Sequence, residues 1–226
     1  MTRSAADIVR EYGPFPGTGH VHGVTFDGRH LWVASGDRLN AIDPVSGKTV
    51  RAIDIAAQAG TAFDGRHLFQ IAEDCIEKID PNTGRVVAAI PAPGGRGASG
   101  LAWAEGTLWV GRYRDRKIHQ IDPETGAILR SIESNRFVTG VTWIDGELWH
   151  GTWEDDRSEL RRVDPRTGEV METLEMPPGI AVSGLESDGA DQFFCGGGSS
   201  GKVRTARRPR RVNASREGPG QPTLSS

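Results

Sequence analysis

Two histidines near the N-terminus have the spacing that most directly suggests chemistry. His20 and His22 are separated by one residue, so on an extended strand both imidazoles lie on the same face. Such a pair can bind zinc or another divalent metal, or one ring can act as a general base because its pKa lies near neutrality. A metal site needs a third ligand, for which His150 and Glu73 are the candidates by topology. No diagnostic third spacing is present, so we expect no bound cofactor.

A recurring glycine marks further candidate site residues. It occurs once in each of five sequence repeats, as Gly23, Gly60, Gly100, Gly140 and Gly184. The residues that precede these glycines are His22, Ala59, Ser99, Thr139 and Ser183. The ends of the second strands add Asp37, Glu73, Arg112, Tyr113, Trp153 and Glu154. Groups of both charge signs with two aromatic rings favour a small polar or zwitterionic ligand.

The repeats indicate how these residues are positioned. A block Asp-Gly-x-x-Leu-Trp, followed by Ile-Asp-Pro-x-x-Gly, recurs with variations from Phe26, Phe63, Ala104 and Ile144, and a degenerate copy starts near Ser183. Periods of roughly 40 residues that hold several short strands are typical of propeller blades. The sequence therefore predicts an all-β, five-bladed β-propeller of four-stranded antiparallel blades.

The first repeat shows the expected strand order. Strands A to D are predicted at residues 23–26, 31–33, 38–42 and 49–53, with a tight Asp27-Gly28 turn between strands A and B. Strand A is the innermost strand, so the recurring glycine excludes side chains where five backbones crowd toward the axis. The residue before each glycine then points into an axial funnel.

The fifth repeat lacks a strand D. An unattached N-terminal segment, residues 7–10, resembles the D strands of the other repeats. We expect it to complete the last blade and to cover a sheet edge that is otherwise exposed. The propeller is predicted to span residues 1–205.

The remaining residues, 206–226, are predicted to form a basic, disordered tail. Arginines lie at positions 207, 208, 210, 211 and 216, and the segment then becomes rich in glycine, proline and serine. A solvated tail is preferred over a nucleic-acid contact, because the 226-residue chain carries a net charge of -3.

Composition restricts location. No apolar run approaches the roughly 18 residues that a membrane helix needs, and the N-terminus lacks the apolar stretch of a signal peptide. We therefore expect a cytoplasmic protein without a membrane partner. Cys75 and Cys195 lie in different repeats, which suggests neither a disulfide framework nor a thiolate zinc site.

The Leu-Trp strands and Ile-Asp-Pro-x-Thr-Gly turns resemble those of the five-bladed, plant-type glutaminyl-peptide cyclotransferases (glutamine cyclotransferases), over about residues 7–205. In the fourth repeat, residues 143–149 followed by Trp153 are similar to the family's Trp-x-x-Gly-Glu-x-Trp run with its pocket tryptophan. The resemblance implies a propeller whose axial pocket takes a peptide N-terminus for transferase chemistry.

Several pocket positions depart from that family. His22 stands where the family has a glutamine, Ala59 where it has its presumed catalytic glutamate, Ser99 where it has a tryptophan, and Thr139 where it has an asparagine. Cyclising an N-terminal glutamine moves a proton from the attacking amine to the leaving ammonia, which alanine cannot do. Either His22 or Glu73 takes that role, or the reaction differs.

Two classes of function remain. The first is a small enzyme acting on a polar or amine-bearing small molecule or a peptide N-terminus, with His22 or Glu73 as base, Arg112 for an anionic group and Trp153 as a stacking wall. The other residues predicted to bind its substrate are His20, Ser99, Tyr113, Thr139 and Ser183. The second class is a non-catalytic propeller that binds a small ligand. A metal-dependent lyase similar in general pattern to virginiamycin B lyase is a further alternative, although those lyases usually have seven blades.

Overall fold

The computed structural model describes residues 1–209, which form a five-bladed β-propeller, as predicted. Blade 1 contains β3 (Val24–Phe26), β4 (Leu31–Ile42) and β5 (Thr49–Ala57); blade 2 contains β6 (Thr61–Phe63), β7 (Leu68–Ala72), β8 (Cys75–Ile79) and β9 (Val86–Pro91). Blade 3 contains β10 (Ala98–Ala104), β11 (Thr107–Arg112), β12 (Lys117–Ile121) and β13 (Ile128–Glu133). Within this range no helix is long and apolar enough to cross a lipid bilayer.

Blades 4 and 5 complete the ring. Blade 4 contains β14 (Val138–Ile144), β15 (Glu147–Glu154), β16 (Arg157–Val163) and β17 (Val170–Glu175). Blade 5 contains β18 (Gly184–Ser187), β19 (Gln192–Gly196), β20 (Val203–Arg207) and the N-terminal β2 (Ile8–Tyr12). In blade 1, β4 supplies both the second and the third strand, since its first part pairs with β3 and its second part with β5. Gly36, with a φ of 64°, lies between the two parts.

The hairpin turns between strands A and B differ between blades. In blades 3 and 4 they are two-residue turns with positive φ at both positions, for example 49° at Glu105 and 78° at Gly106, as primed turns require. The predicted two-residue Asp27-Gly28 turn is wrong, because four residues separate β3 from β4. The Asp27 carboxylate stabilises this longer loop by accepting hydrogen bonds from the backbone N–H of His30 (2.5 Å) and from the indole N–H of Trp32 (2.7 Å).

Aromatic side chains join neighbouring blades. The predicted core set in strand B is buried in all five blades: Trp32, Phe69, Trp109, Trp149 and Phe194. The Phe69 ring stacks on Trp103 of the next blade at a centroid distance of 5.6 Å, and Trp109 stacks on Trp143 at 5.8 Å. Burying such rings contributes apolar area and favourable ring geometry, so these residues are structural.

The recurring glycines form a closed ring of backbone contacts around the axis. A Cβ on Gly60 would lie 2.5 Å from the backbone nitrogen of Leu101, and a Cβ on Gly184 would lie 2.9 Å from the Cα of Gly23. Real Cβ atoms do not approach backbone atoms this closely. The innermost strands of all five blades therefore touch only because each carries a glycine there.

The N-terminal strand closes the last blade, as predicted. β2 pairs antiparallel with β20, and the carboxylate of Glu11 on β2 forms ion pairs with Lys202 and Arg204. The sequence did not predict β1 (Thr2–Ala5), which pairs in parallel with β17 as a fifth strand of blade 4. The N-terminal segment thus contacts two adjacent blades.

The C-terminal strand also extends beyond the predicted end of the propeller. β20 continues to Arg207, two residues past position 205. Arg208 is 8% exposed, and its guanidinium donates hydrogen bonds to the carboxylates of Asp145 (2.6 Å) and Glu147 (3.0 Å) in blade 4. Two arginines assigned to the tail therefore belong to the folded blade, while the rest of the predicted tail, residues 210–226, lies outside the described range.

Deleting residues 1–12 should lower the melting temperature by roughly 10 °C or more, because the deletion removes β1 and β2 and exposes the edge of β20. Deleting residues 1–6 removes only β1, so we expect a smaller decrease. Both can be measured by circular dichroism melting. A 1–12 deletion as stable as the parent would refute closure by β2.

Gly100→Ala should destabilise the fold by about 3 kcal/mol or more. The new methyl group would lie 2.6 Å from the backbone nitrogen of Val141, which cannot move without displacing blade 4. Gly19→Ala is the matched control, because a Cβ at Gly19 meets no atom within 4 Å. Urea unfolding of the two variants measures the difference, and equal free energies of unfolding would contradict the axial packing.

Candidate functional site

A cavity of about 240 Å³ lies where the innermost strands begin. It is lined by His22, Gln58, Ala59, Ala98, Ser99, Tyr113, Thr139 and Ser183. All five residues that precede the axial glycines line it, so the structure places the axial funnel where the sequence predicted it. Gln58 and Ala98 were not predicted, although both stand two residues before an axial glycine, a position that would have identified them.

His22 and His20 stack beside this cavity. Their ring centroids are 4.8 Å apart with an interplanar angle of 26°, and the backbone N–H of His22 donates to the carbonyl of Ala34 (2.9 Å). Burial lowers the pKa of His22, and the positive potential of the nearby His20 lowers it further. His22 is therefore neutral at pH 7 and has a ring nitrogen that can accept a proton or a hydrogen bond.

The two proposed third metal ligands do not join the histidine pair. His150 is buried with its Nδ1 3.1 Å from the carbonyl oxygen of Gly151, and burial lowers its pKa to about 4. Glu73 forms an ion pair with Arg96. Within residues 1–209, no group of three or more His, Cys, Asp or Glu residues is arranged to hold a metal ion.

The hydroxyl groups around the cavity connect neighbouring blades. Ser99 Oγ donates to the carbonyl of Val138 (2.8 Å), which joins blade 3 to blade 4. Ser183 Oγ donates to the carbonyl of Val21 (2.5 Å), which joins blade 5 to blade 1. Thr139 Oγ1 has the equivalent place in blade 4 but is buried without a hydrogen-bond partner among the described residues. The two serine hydroxyls thus have structural partners already.

Tyr113 is the aromatic residue of the cavity wall. Its ring stacks on Phe137, with centroids 4.8 Å apart and planes inclined by 19°. The Arg116 guanidinium lies over the Phe137 ring at 4.4 Å from the centroid. This sandwich holds the Tyr113 ring at the edge of the cavity.

Six residues predicted at the funnel do not line it: His20, Asp37, Glu73, Arg112, Trp153 and Glu154. Glu73 lies in the β7–β8 turn with a φ of 55°, its side chain is 64% exposed, and it pairs with Arg96 at 2.7 Å. Arg112 is buried and holds the preceding loop by donating to the carbonyls of Gly95 (2.8 Å) and Arg96 (2.9 Å). Trp153 lines a separate cavity on blade 4. The ends of the B strands are one strand farther from the axis than strand A, and of the residues predicted there only Tyr113 reaches the cavity.

A buried carboxylate lies farther along the axis, beyond the glycine ring. Glu186 stands two residues after Gly184, and its carboxylate accepts hydrogen bonds from the hydroxyls of Thr25 (2.7 Å) and Thr142 (2.6 Å) in the two adjacent blades. Burial raises its pKa. Glu186 was not predicted because the fifth repeat is degenerate. The equivalent position in the other four repeats carries threonine or alanine, so the carboxylate of the fifth repeat was a signal that could have identified this residue.

The axial cavity therefore provides a limited chemistry. A neutral imidazole, a stacked tyrosine and an amide side chain line it, together with hydroxyls that bridge blades. No carboxylate and no cationic side chain of the described range lines it. The cavity can accept hydrogen bonds from a small polar group, but it offers only one side chain that titrates near neutral pH.

Comparison with known proteins supports the fold. No protein-family model matches the chain, and no curated protein matches it. A crystal structure of Myxococcus xanthus glutaminyl cyclase is similar, with a TM-score of 0.76 at 17% identity over 91% of this chain and 97% of that chain. The five-bladed fold of this chain is thus shared with a glutaminyl cyclase.

Two other propeller-containing structures are more distantly similar. Hydrazine synthase of Kuenenia stuttgartiensis matches with a TM-score of 0.52 at 19% identity, covering 79% of this chain and 56% of that chain. The WD40 β-propeller domain of Doa1 matches with a TM-score of 0.55 at 16% identity, covering 84% and 64%. At these identities the comparisons establish architecture, and activity has to be argued from the site.

Ser183→Ala should lower the free energy of unfolding by about 1 kcal/mol, because it removes the hydrogen bond to Val21 that joins blades 5 and 1 and leaves the N–H of Gly198 without its acceptor. Ser46→Ala, at an exposed turn, is the comparison variant. Chemical denaturation measures both. An unchanged stability of Ser183→Ala would show that the hydroxyl has no structural role and is available to a ligand.

Proposed function

We propose that the axial cavity binds a small amine-bearing molecule, with His22 as the residue that accepts a hydrogen bond from the amine. The observation that carries this proposal is the convergence of residues from five blades on one cavity whose only near-neutral titratable group is a neutral imidazole. No Lys or Arg of the described residues lines the cavity to neutralise an anion. A volume of about 240 Å³ accommodates one polar end of a ligand.

The rest of the ligand would remain outside the cavity. The Gln58 side chain is exposed at the rim and can hydrogen bond to an amide or carbonyl group with either end of its own amide. The Tyr113 ring, held by Phe137, offers an apolar edge beside it. A peptide N-terminus has a primary amine next to a carbonyl group. Its amine can donate to His22 while its carbonyl group accepts from the Gln58 amide.

Catalysis by His22 is the second candidate function. Its support is the fold shared with a glutaminyl cyclase and the lowered pKa, which leaves the imidazole unprotonated and able to take a proton from an attacking amine. The alternative prediction, Glu73 as the base, is not retained, because Glu73 is exposed and paired with Arg96. A reaction in this cavity would therefore use His22 as both the acceptor and the donor of the proton.

Binding and turnover can be separated with a glutaminyl dipeptide as the probe. Isothermal titration calorimetry at pH 7 should detect binding to the parent, and His22→Ala should weaken it by about 10-fold, the effect of one hydrogen bond to a charged group. Ala59→Ser, which adds a small hydroxyl at the same cavity, is the comparison variant. Equal affinity of the parent and His22→Ala would exclude His22 as the acceptor.

An ammonia-release assay on the same dipeptide then distinguishes the two candidates. Binding without ammonia release identifies a ligand-binding propeller. Ammonia release that disappears in His22→Ala identifies an enzyme with His22 as its base. Ammonia release that persists in His22→Ala would rule out this acid/base mechanism.

Binding of the dipeptide should also depend on pH in a defined direction. The acceptor must be neutral, and the pKa of His22 is below the ordinary value of 6.5. Affinity should therefore decrease as the pH is lowered and the imidazole becomes protonated, with a midpoint below that ordinary value. His22→Gln should remove this decrease, and a midpoint above 6.5 would contradict the burial of the ring.

A further inference from the structure

A second cavity, of about 700 Å³, lies on blade 4 away from the axis. It is formed by the end of β15, the β15–β16 turn and the loop that follows β17, and it shares no lining residue with the axial cavity. Its size falls within the range of roughly 300–1,000 Å³ that is usual for small-molecule sites. Trp153 and Met176 supply its apolar surface, and Arg136 lies beside them.

Trp153 differs from the other five tryptophans of the chain. Trp32, Trp109 and Trp149 are buried. Trp103 and Trp143 stack on aromatic rings of a neighbouring blade. Trp153 is only partly buried, and among residues 1–209 it forms neither an aromatic pair nor a cation–π contact. The ring thus presents an unpaired aromatic surface to the cavity.

Two glutamates beside this cavity, Glu154 and Glu159, have close cationic partners. Glu159 lies 2.8 Å from Arg3 and 2.7 Å from Arg161, and Glu154 lies 2.6 Å from Arg116. These distances are those of charge-assisted hydrogen bonds. Glu154 and Glu159 therefore each have at least one arginine other than Arg136 at hydrogen-bonding distance.

Arg136 forms only longer ion pairs with the same two glutamates. Its nearest carboxylate oxygens are 3.7 Å away on Glu154 and 3.8 Å away on Glu159, too far for a hydrogen bond. Its guanidinium donates no hydrogen bond to the described part of the chain, and its side chain is 28% exposed. A guanidinium has five donors in a planar fork that matches a carboxylate.

The acidic residues at the rim have a backbone explanation. Asp155 and Asp156 form the two-residue turn between β15 and β16, with φ values of 52° and 57°. Aspartate tolerates this left-handed conformation better than most residues. Their presence therefore reflects the turn and does not indicate a cation site, and the adjacent Arg157 offsets part of their charge.

We propose that this cavity binds a small aromatic carboxylate, whose ring packs on Trp153 and whose carboxylate is bound by Arg136. The ring of the ligand supplies the aromatic partner that Trp153 lacks, and the carboxylate accepts hydrogen bonds from donors that no described residue uses. Met176, which is 7% exposed, adds an apolar contact. The site is independent of the axial cavity and of the function proposed for it.

Phenylacetate and its neutral analogue phenylacetamide are suitable probes. Calorimetry at pH 7 should detect millimolar or tighter binding of phenylacetate, and phenylacetamide should bind at least 10-fold more weakly because it lacks the charge. Arg136→Gln should weaken phenylacetate binding at least 10-fold and leave phenylacetamide binding unchanged. Arg38→Gln, an exposed arginine of blade 1 paired with Asp54, is the matched control and should bind phenylacetate as the parent does.

Trp153→Leu tests the aromatic contact, and it should weaken binding of both probes by a similar factor. Circular dichroism melting verifies that each variant is folded, and Arg136→Gln alone tests the proposal if Trp153→Leu is unstable. The proposal is overturned if phenylacetate does not bind, if the amide binds as tightly as the acid, or if Arg136→Gln leaves phenylacetate affinity unchanged.

Discussion

The close approach of five backbones at the axis is the constraint on which the rest of this structure depends. Each innermost strand contacts the next through a glycine, and the contacts close from Gly184 back to Gly23. This ring determines what lies on either side of it. The residue before each glycine lines the axial cavity. The residue two positions after each glycine lies on the opposite side of the ring, where the Glu186 carboxylate accepts hydrogen bonds from two adjacent blades. The ring of glycines thus lies between the neutral imidazole of His22 and the buried carboxylate of Glu186.

Sequence reasoning succeeded where the property was repeated along the chain. The five glycines and the recurring turns predicted the number of blades, and the missing last strand predicted closure by the N-terminus. The offset from the glycine also placed His22, Ser99, Thr139 and Ser183 at one cavity, since strand A is the strand nearest the axis. Repetition turns a single sequence into five observations of the same backbone environment, which is why these positions were predictable.

It failed where a side chain met a residue far away in the sequence. Arg112 looked like an anion-binding residue, but it reaches back to the carbonyls of Gly95 and Arg96, and no local pattern shows that. Arg208 belonged to a segment with the composition of a tail, whereas its partner Asp145 lies 63 positions earlier. β1 was not predicted because its residues are exposed and show no alternation of apolar and polar side chains. The hydrophobic pattern of the sequence therefore gave no sign of its pairing with β17. Long-range polar contacts depend on geometry that only the folded chain has.

The way in which the last blade is completed has a consequence for biosynthesis. Residues 8–12 are synthesised about two hundred residues before β20, the strand with which they pair, and the ion pair between Lys202 and Glu11 spans 191 positions. Contacts so distant in sequence form late, because the intervening chain must be synthesised and brought together first. β2 therefore stays unpaired while the intervening strands are synthesised, and the ring becomes continuous only once β20 has emerged from the ribosome.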